Sequence, residues 1–360
     1  MKQKNNPRKI LIIARGGIGN IILFLPTLNI LKRTFKDTQF SMMVSSDSLN
    51  PLLKIYDINE IINFDERSKR LKDLLNIVAF LFKNKFDICL VIYPSGLRSA
   101  LIAFFSRAEV RVGFKDPLLK GLGSFFYTYL IKPNNLHYLE ENMRILGALG
   151  IQNNFKLNPE IILPIDSPKN AILYLEQQGI KSIDKLIGFH PGSSISQKWK
   201  RWPAQYFIEL INLINIEQKS PVIIFGNKDE TILINDILSK LNGSVKATRI
   251  SCKNIMESAA LISLCKIFIG NDSALIHIAS ACKIPTICIC GPTNIKKSGP
   301  YGPDTYMVHQ KLKCLFCYDF NRVDFKCSEK PPYKCLTELY PVDVYNQIKP
   351  ILFHELKESK

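Results

Sequence analysis

The sequence lacks the long apolar segments that membrane-spanning proteins contain. Its 360 residues include no uninterrupted apolar run of 18, so no membrane-spanning helix is expected. The basic N-terminus is followed by a strand-like segment and a glycine loop, not by a signal peptide with a cleavage site. We therefore expect a protein that stays in the cytoplasm.

Acidic residues are scarce relative to basic ones. The 48 lysines and arginines outnumber the 31 aspartates and glutamates, which gives a formal net charge of +17. No arginine-rich arm, zinc-finger helix or stacking motif accompanies this excess, so no nucleic-acid partner is expected. A basic surface suits anionic lipid headgroups or phosphorylated substrates, and it is equally consistent with an ordinary solvated surface.

Several catalytic motifs are also absent. The sequence contains no P-loop, no H-E-x-x-H and no G-x-S-x-G. The glycine loop at residues 15–20 lacks the third glycine of the dinucleotide-binding pattern. Taken alone, this loop indicates either a close backbone approach to a ligand or only a tight turn.

What the sequence does contain is an alternation of short apolar strands and helical segments. This alternation predicts an α/β fold with parallel sheets. A proline- and asparagine-rich stretch near residues 153–168 divides the chain into two such sets. Ten strands are predicted, at residues 9–14, 40–44, 60–64, 88–93, 110–114, 186–190, 221–225, 247–250, 267–269 and 286–290.

The strongest local signal runs from Gly270 to His277, where a buried strand ends in a polar turn that opens a helix. Asp272 or Ser273 is able to cap that helix, whose N-terminus would attract phosphate oxygens. Ser273 and His277 are four residues apart and share one helical face. The alternative is a simple capping box with His277 buried against the sheet.

A second segment begins after the strand at residues 186–190. Gly192, Ser193 and Ser194 allow backbone and hydroxyl groups to approach a phosphate, and Lys200 and Arg201 add cationic charge for a diphosphate. The alternative is a basic surface loop in which Trp202 is a packing anchor.

Together these segments resemble glycosyltransferase family 9, the heptosyltransferase family of lipopolysaccharide assembly. The resemblance extends over roughly residues 8–350 and rests on several motifs in order. They are the glycine loop with Leu25-Pro26, Arg98, Arg111-Val112-Gly113-Phe114, His137 through Leu149-Gly150, His190-Pro191-Gly192-Ser193, Lys200-Arg201-Trp202-Pro203, the Gly270 to His277 segment, and Ile284-Pro285 through Gly291-Pro292-Thr293.

The resemblance implies the GT-B fold, in which two Rossmann-like doubly wound domains face a central cleft. Residues 1–164 would bind the acceptor and residues 165–341 the nucleotide-sugar, while 342–360 would form a helix that packs back on the N-terminal domain. The implied reaction is an inverting, metal-independent transfer from an ADP-sugar, usually ADP-heptose. The implied acceptor is a lipid-linked saccharide, such as the lipopolysaccharide core, at the cytoplasmic face of the inner membrane.

The resemblance also assigns roles to residues of this chain. Lys200, Asp272 and His277 are the expected catalytic groups, and Asn20 stands at the position of the family's base. The acceptor side is expected to use Gly17, Gly19, Asn20 and Arg98. The donor side is expected to use Ser193, Ser194, Lys200, Arg201, Glu230, Met256, Asp272, Ser273, Ala274 and His277.

Two positions depart from the family pattern. The proposed family base is an aspartate directly after the last glycine of the loop, where this chain has Asn20. An amide cannot take up a proton as a base, although it can orient an acceptor hydroxyl. Ala274 replaces a frequent glycine, so its methyl group would crowd the donor.

These departures leave alternatives to ordinary transfer. Another carboxylate or a water could act as the base, or the chain could be a weakly active or non-catalytic nucleotide-sugar-binding protein. A GT-B sugar-phosphate epimerase is a further alternative, but it would need extra carboxylates or histidines near the donor C2, and no such cluster is evident.

Four late cysteines, Cys314, Cys317, Cys327 and Cys335, lie in a short irregular stretch. The first pair has the spacing of a metal knuckle, which the second pair does not repeat. We expect either a structural zinc or iron site or free cysteines. The resemblance implies that the transfer itself requires no cofactor.

Overall fold

The computed structural model describes residues 7–64, 71–116, 121–152, 158–318 and 325–353. The chain divides into two compact units. The first comprises Met1–Ile162 with Lys296–Ser298, and the second Leu163–Ile295 with Gly299–Lys360.

The first unit is built on a six-stranded parallel sheet whose order is β3-β2-β1-β4-β5-β6. Strand β4 and residues 10–13 of β1, at the centre of the sheet, are buried because helices lie on both faces, which explains their continuous apolar sequences. The strands are β1 (Lys9–Ile13), β2 (Gln39–Val44), β3 (Glu60–Asn63), β4 (Ile88–Val91), β5 (Val110–Phe114) and β6 (Tyr129–Ile131). The helices are α1 (Ile18–Thr34), α2 (Asn50–Ile55), α3 (Leu71–Lys83), α4 (Leu97–Phe105), α5 (Gly123–Phe126) and α6 (Tyr138–Ala148).

The second unit repeats this architecture with a sheet in the order β12-β11-β10-β7-β8-β9. Read from β9 to β12 and numbered from β7 as the first strand, this order is 3-2-1-4-5-6, the same as in the first unit. The strands are β7 (Ile187–His190), β8 (Val222–Phe225), β9 (Ala247–Ile250), β10 (Ile267–Asn271), β11 (Thr286–Ile289) and β12 (Thr305–Val308). The helices are α7 (Ser167–Gln177), α8 (Ala204–Gln218), α9 (Thr231–Lys240), α10 (Ile255–Ile262), α11 (Ala274–Ala281), α12 (Ile295–Ser298), α13 (Lys334–Thr337) and α14 (Pro341–Phe353), of which most of α12 is grouped with the first unit.

Helix α14 contributes Val344, Ile348 and Leu352 to the core of the second unit. Gln218 Nε2, at the end of α8, donates a 3.0 Å hydrogen bond to the carbonyl of Leu352. The resemblance implies that residues 342–360 pack on the N-terminal domain, whereas the structure groups α14 with the second unit. The apolar residues of α14 recur every three or four positions along the side that packs on α8.

The predicted α/β class with two doubly wound parallel sheets is confirmed, and each of the ten predicted strands is present with small differences at its ends. Two further strands, β6 and β12, were not predicted. Both are short strands at the edge of their sheet, where partial exposure removes the continuous apolar sequence that marks a central strand. Of the helices that the structure describes, none combines the length and apolar character needed to cross a bilayer.

Candidate functional site

The candidate site lies at the carboxyl ends of β7 and β10 in the second unit. These neighbouring strands mark the point where the strand order reverses, which is where open α/β sheets bind ligands. His190 ends β7 and Asn271 ends β10, so the two polar segments singled out in the sequence meet at this edge.

Ser273 occupies the N-cap position of α11, but its side chain makes no capping hydrogen bond. The Ser273 hydroxyl instead lies 2.8 Å from Nδ1 of His190. The predicted capping role is therefore wrong for Ser273, because the imidazole at the end of β7 competes for its hydroxyl. The first-turn N–H groups of α11 are consequently not occupied by this side chain and suit an anionic ligand.

The side chain of Asn271 links the end of β10 to the segment that follows β7. It was not predicted as a site residue. Its fully buried side chain donates to the carbonyl of Pro191 at 2.8 Å and accepts from the backbone N–H of Trp202 at 3.0 Å. A buried amide satisfied in this way fixes the loops on both sides of it. The preceding Gly270 allows the close approach, since a Cβ atom there would lie 2.8 Å from the carbonyl oxygen of His190.

Lys200 and Asp272 form the central ion pair of the site. Lys200 Nζ donates to Asp272 Oδ2 at 2.8 Å, and the two side chains are 12% and 7% exposed. His277 Nε2 lies 4.0 Å from the other carboxylate oxygen. Burial alone would raise the pKa of Asp272, but Lys200, His277 and a hydrogen bond from Thr293 hold it below its usual value. Asp272 is therefore ionised and keeps Lys200 in place.

Aromatic rings surround the ammonium group of Lys200. Its Nζ atom lies 5.6 Å from the centroid of the Trp199 ring and 5.9 Å from that of Tyr318. The two rings are 4.5 Å apart, and Phe325 packs on both. No local pattern indicated this arrangement, because Tyr318 and Phe325 lie more than 100 residues after Lys200.

Glu230 forms a second buried charged group next to the first. Its carboxylate lies 3.5 Å from His190 Nε2 and 3.6 Å from Arg201 Nη2. Burial would raise the pKa of Glu230, but these partners and the backbone N–H of Asn227 lower it. Gly192 makes room for this carboxylate, because a Cβ atom there would overlap Glu230 Oε1.

The other donor-side residues lie on the rim of the same edge. Ser193 Oγ accepts from Arg201 Nε at 3.1 Å, and the Ser194 hydroxyl lies 3.0 Å from that of Ser196. Met256 is buried in the first turn of α10, and Ala274 is the first residue of α11. The role of these residues in donor binding stays a prediction.

The predicted acceptor residues lie in the first unit, around the N-terminus of α1. Gly17 is the N-cap of α1, and Gly19 and Asn20 lie in its first turn. Asn20 Nδ2 donates to the carbonyl of Arg15 at 3.2 Å. Arg98 is exposed in the first turn of α4, whose N-cap follows the end of β4. Their role in acceptor binding also stays a prediction.

The predicted metal site has no support in the part of the chain that the structure describes. No three histidine, cysteine, aspartate or glutamate side chains there are grouped so as to hold an ion. The cysteines differ in environment, since Cys317 is exposed whereas Cys335 is buried at α13, where burial raises the pKa of its thiol to about 12. Cys327 Sγ accepts a hydrogen bond from the backbone of Tyr333.

Comparison with known proteins identifies relatives along most of the chain. Lipooligosaccharide heptosyltransferase 2 of Campylobacter jejuni is 28% identical over 350 residues, which cover 95% of this chain and 98% of that protein. A glycosyltransferase family 9 structure from Veillonella parvula has a TM-score of 0.77 at 19% identity and covers 96% of this chain and 97% of its own. The structure of E. coli ADP-heptose lps heptosyltransferase II has a TM-score of 0.72 at 20% identity, with 96% and 98% covered.

The structural likeness confirms the predicted GT-B fold of two Rossmann-like domains. The family model described as glycosyltransferase family 9 (heptosyltransferase) matches residues 76–324, which include the ends of β4, β7 and β10 and every donor-side residue named above. The matched region also contains the buried lysine–aspartate pair, which lies beside a helix N-terminus at the switch point of a doubly wound sheet. Because the family model matches most of the chain, the chain belongs to glycosyltransferase family 9, the heptosyltransferase family.

Proposed function

We propose that the chain transfers a heptosyl group from ADP-heptose to a saccharide of a lipooligosaccharide or lipopolysaccharide core. The observation that carries this proposal is the Lys200–Asp272 pair beside the first turn of α11. Transfer breaks the bond between the sugar C1 and the diphosphate, so negative charge develops on the departing phosphate oxygens. An ammonium group and helix N–H groups fixed at one place stabilise that charge without reorganising during the reaction.

Asp272 has a supporting part in this proposal, because its ionised carboxylate orients Lys200 and lies near His277. Glu230 does the same for Arg201 and His190. Lys200 and Arg201 thus each face a buried carboxylate, which fixes their positions at this edge of the sheet. The relatives named for heptosyl transfer support this donor, and the described residues offer no observation that favours an epimerase.

A calorimetric titration followed by product analysis tests the proposal. We expect ADP to bind, UDP to bind at least about tenfold more weakly, and ADP-heptose with a truncated core acceptor to give ADP and an acceptor heavier by one heptose. Absence of ADP binding at millimolar concentration would contradict the donor site. Binding of ADP without any transfer would favour a non-catalytic nucleotide-sugar-binding protein.

We further propose that the first unit binds the anionic cytoplasmic face of the inner membrane, where a lipid-linked acceptor is found. Helices α4 and α5 expose Leu101, Phe105 and Phe125, and the Arg107 guanidinium lies 4.6 Å from the exposed Phe82 ring. Exposed apolar side chains beside cations suit a bilayer interface. The basic residues Arg67, Lys69, Arg70 and Lys72, which the sequence also offers for this surface, lie outside the described side chains.

Co-sedimentation with vesicles tests this surface. Phe125→Ser removes a ring that is 62% exposed and is expected to lower the partition constant for phosphatidylglycerol vesicles by at least about tenfold, since a buried aromatic side chain contributes roughly 1.5–3 kcal/mol. Ile232→Ser, which changes an 85% exposed residue of α9, is the matched control and should bind as the unaltered protein does. Equal binding by the two variants would place the contact elsewhere.

A further inference from the structure

The imidazole of His190 lies between a hydroxyl and a carboxylate at the end of β7. Its Nδ1 atom is 2.8 Å from Ser273 Oγ, and its Nε2 atom is 3.5 Å from Glu230 Oε2. The side chains of His190 and Glu230 are 7% and 3% exposed, so water has little access to the contact between them. His190 therefore connects a buried carboxylate to the hydroxyl at the N-terminus of α11.

The sheet holds His190 at this place. His190 is the last residue of β7 and pairs with Gly270 of β10 in the parallel ladder. A Cβ atom at Gly270 would lie 2.8 Å from the carbonyl oxygen of His190, so the two strands approach closely here. Ser273 is the N-cap of α11, just beyond the end of β10. The distance between the imidazole and the hydroxyl is consequently set by two paired strands.

Glu230 determines which nitrogen of a neutral His190 ring carries the proton. Burial raises the pKa of Glu230, but His190 and the other partners of the carboxylate hold it below its usual value, so the carboxylate is ionised. An ionised carboxylate only accepts hydrogen bonds, so the proton of the neutral ring belongs on Nε2, the nitrogen that faces it. Nδ1 is then an acceptor, and the Ser273 hydroxyl donates to it.

Protonation of His190 reverses the direction of that hydrogen bond. Both nitrogens of an imidazolium carry a proton, so Nδ1 then donates to Ser273 Oγ. In the neutral form Nδ1 takes the hydroxyl hydrogen, and Ser273 offers a ligand only oxygen lone pairs. In the protonated form the hydroxyl hydrogen is released and is able to bind an anion. Only the protonated form therefore stabilises a phosphate oxygen beside Ser273.

The charges at this edge of the sheet make such a proton depend on an anionic ligand. The described charged groups around the imidazole are two carboxylates and two fixed cations, namely Glu230, Asp272, Arg201 and Lys200. Their charges cancel, so a proton on His190 gives the edge a positive charge that a bound diphosphate compensates. His277, whose Nε2 atom lies 4.0 Å from Asp272 Oδ1, is the other imidazole beside these charges.

We propose that His190 is a positioning residue for the donor, which takes up a proton when the diphosphate of the nucleotide-sugar binds and thereby turns the Ser273 hydroxyl into a donor. This inference rests on the proposed function, because it concerns the donor of the same transfer. One proton passes from solvent to Nδ1, and no other covalent bond changes. Imidazoles exchange this proton between about pH 5 and 8, so donor binding should tighten as the pH falls through that range.

Calorimetric titration with ADP-heptose in the absence of acceptor tests this role. The diphosphate of the probe is esterified at both ends, so its own charge does not change near neutral pH. We expect Kd to be about tenfold lower at about pH 6 than at about pH 8. His190→Asn, whose amide does not titrate, should bind with nearly the same Kd at both pH values. His137→Asn is the matched control, since it removes an imidazole from the first unit, keeps a side chain that caps α6, and should keep the tenfold difference.

Ser273→Ala separates an effect on the hydroxyl from an effect of charge alone. It should weaken ADP-heptose binding by about tenfold at the lower pH and by less than about twofold at the higher pH, where Nδ1 already takes the hydroxyl hydrogen. An equal cost of Ser273→Ala at both pH values would overturn the inference.

Two further outcomes would also overturn it. One is equal affinity of the unaltered protein at the two pH values. The other is a pH dependence that His190→Asn keeps and His277→Asn abolishes, since the proton would then belong to His277. Binding of ADP-heptose that does not vary with pH leaves the proposed function intact, whereas absence of binding at either pH would contradict the proposed function and this inference together.

Discussion

Lys200→Met is expected to lower kcat/KM for transfer by about 10²–10³-fold, because it removes the cation best placed to stabilise the departing diphosphate. Methionine keeps the length and apolar stem of the side chain, so contacts with Trp199 and Tyr318 are largely preserved. The change leaves Asp272 buried without its closest partner, which should destabilise the second unit by about 3 kcal/mol. Initial rates with ADP-heptose and denaturant unfolding measure the two effects separately.

The double variant Lys200→Met with Asp272→Asn is the control for that experiment. Removing both charges restores electrical neutrality, so most of the lost stability should return while transfer stays low. Recovery of transfer together with stability would show that Lys200 only supports the fold. Persistent loss of transfer in a stable double variant shows that lost stability does not explain the lost activity of Lys200→Met.

Asn20→Asp is expected to raise kcat by about 10²-fold, because a carboxylate can take the proton of an acceptor hydroxyl and an amide cannot. The gain should appear with a new acidic limb in the pH–rate profile, since only the ionised carboxylate acts as a base. The change also removes the donor that Asn20 offers to the Arg15 carbonyl, at a cost of about 1 kcal/mol in stability. The kcat–pH profile and thermal unfolding report these effects.

Asn20→Ala is the matched variant, since it removes the amide without supplying a base. It should lose the same hydrogen bond and show neither the gain in kcat nor the acidic limb. If Asn20→Asp were no faster than the natural protein, another group would already accept the proton. In that case Asn20 would serve to orient the acceptor hydroxyl.

The sequence predicted the strands at the centre of each sheet more completely than those at the edges. Strands such as β4 and β8 are buried on both faces, so their apolar character is continuous and visible along the chain. Of the four edge strands, all partly exposed, β3 and β9 were predicted and β6 and β12 were missed. Local composition therefore reports burial on two faces, and it reports much less about a strand with one open side.

The candidate site was also predicted only in part, since its segments were predictable from local sequence and its side-chain pairs were not. Glycines and polar residues after strand ends indicated which segments would face a ligand, since these are local properties. Which side chains pair was not predictable in the same way, as Ser273 shows: a local rule assigned its hydroxyl to a helix cap, but His190, 83 residues earlier, takes it. The aromatic surround of Lys200 and the buried amide of Asn271 depend on contacts of the same long range.

The position of α14 in the core has a consequence for synthesis of the chain on the ribosome. The sheet of the first unit is complete at β6, so that sheet has all its strands while later residues are still being added. The sheet of the second unit is complete at β12, but its core still lacks Val344, Ile348 and Leu352. Until α14 leaves the exit tunnel, the apolar face of α8 that it covers stays open to water and to chaperones. The second unit therefore becomes compact only after α14 has emerged, later than the strands and loops that carry the candidate site.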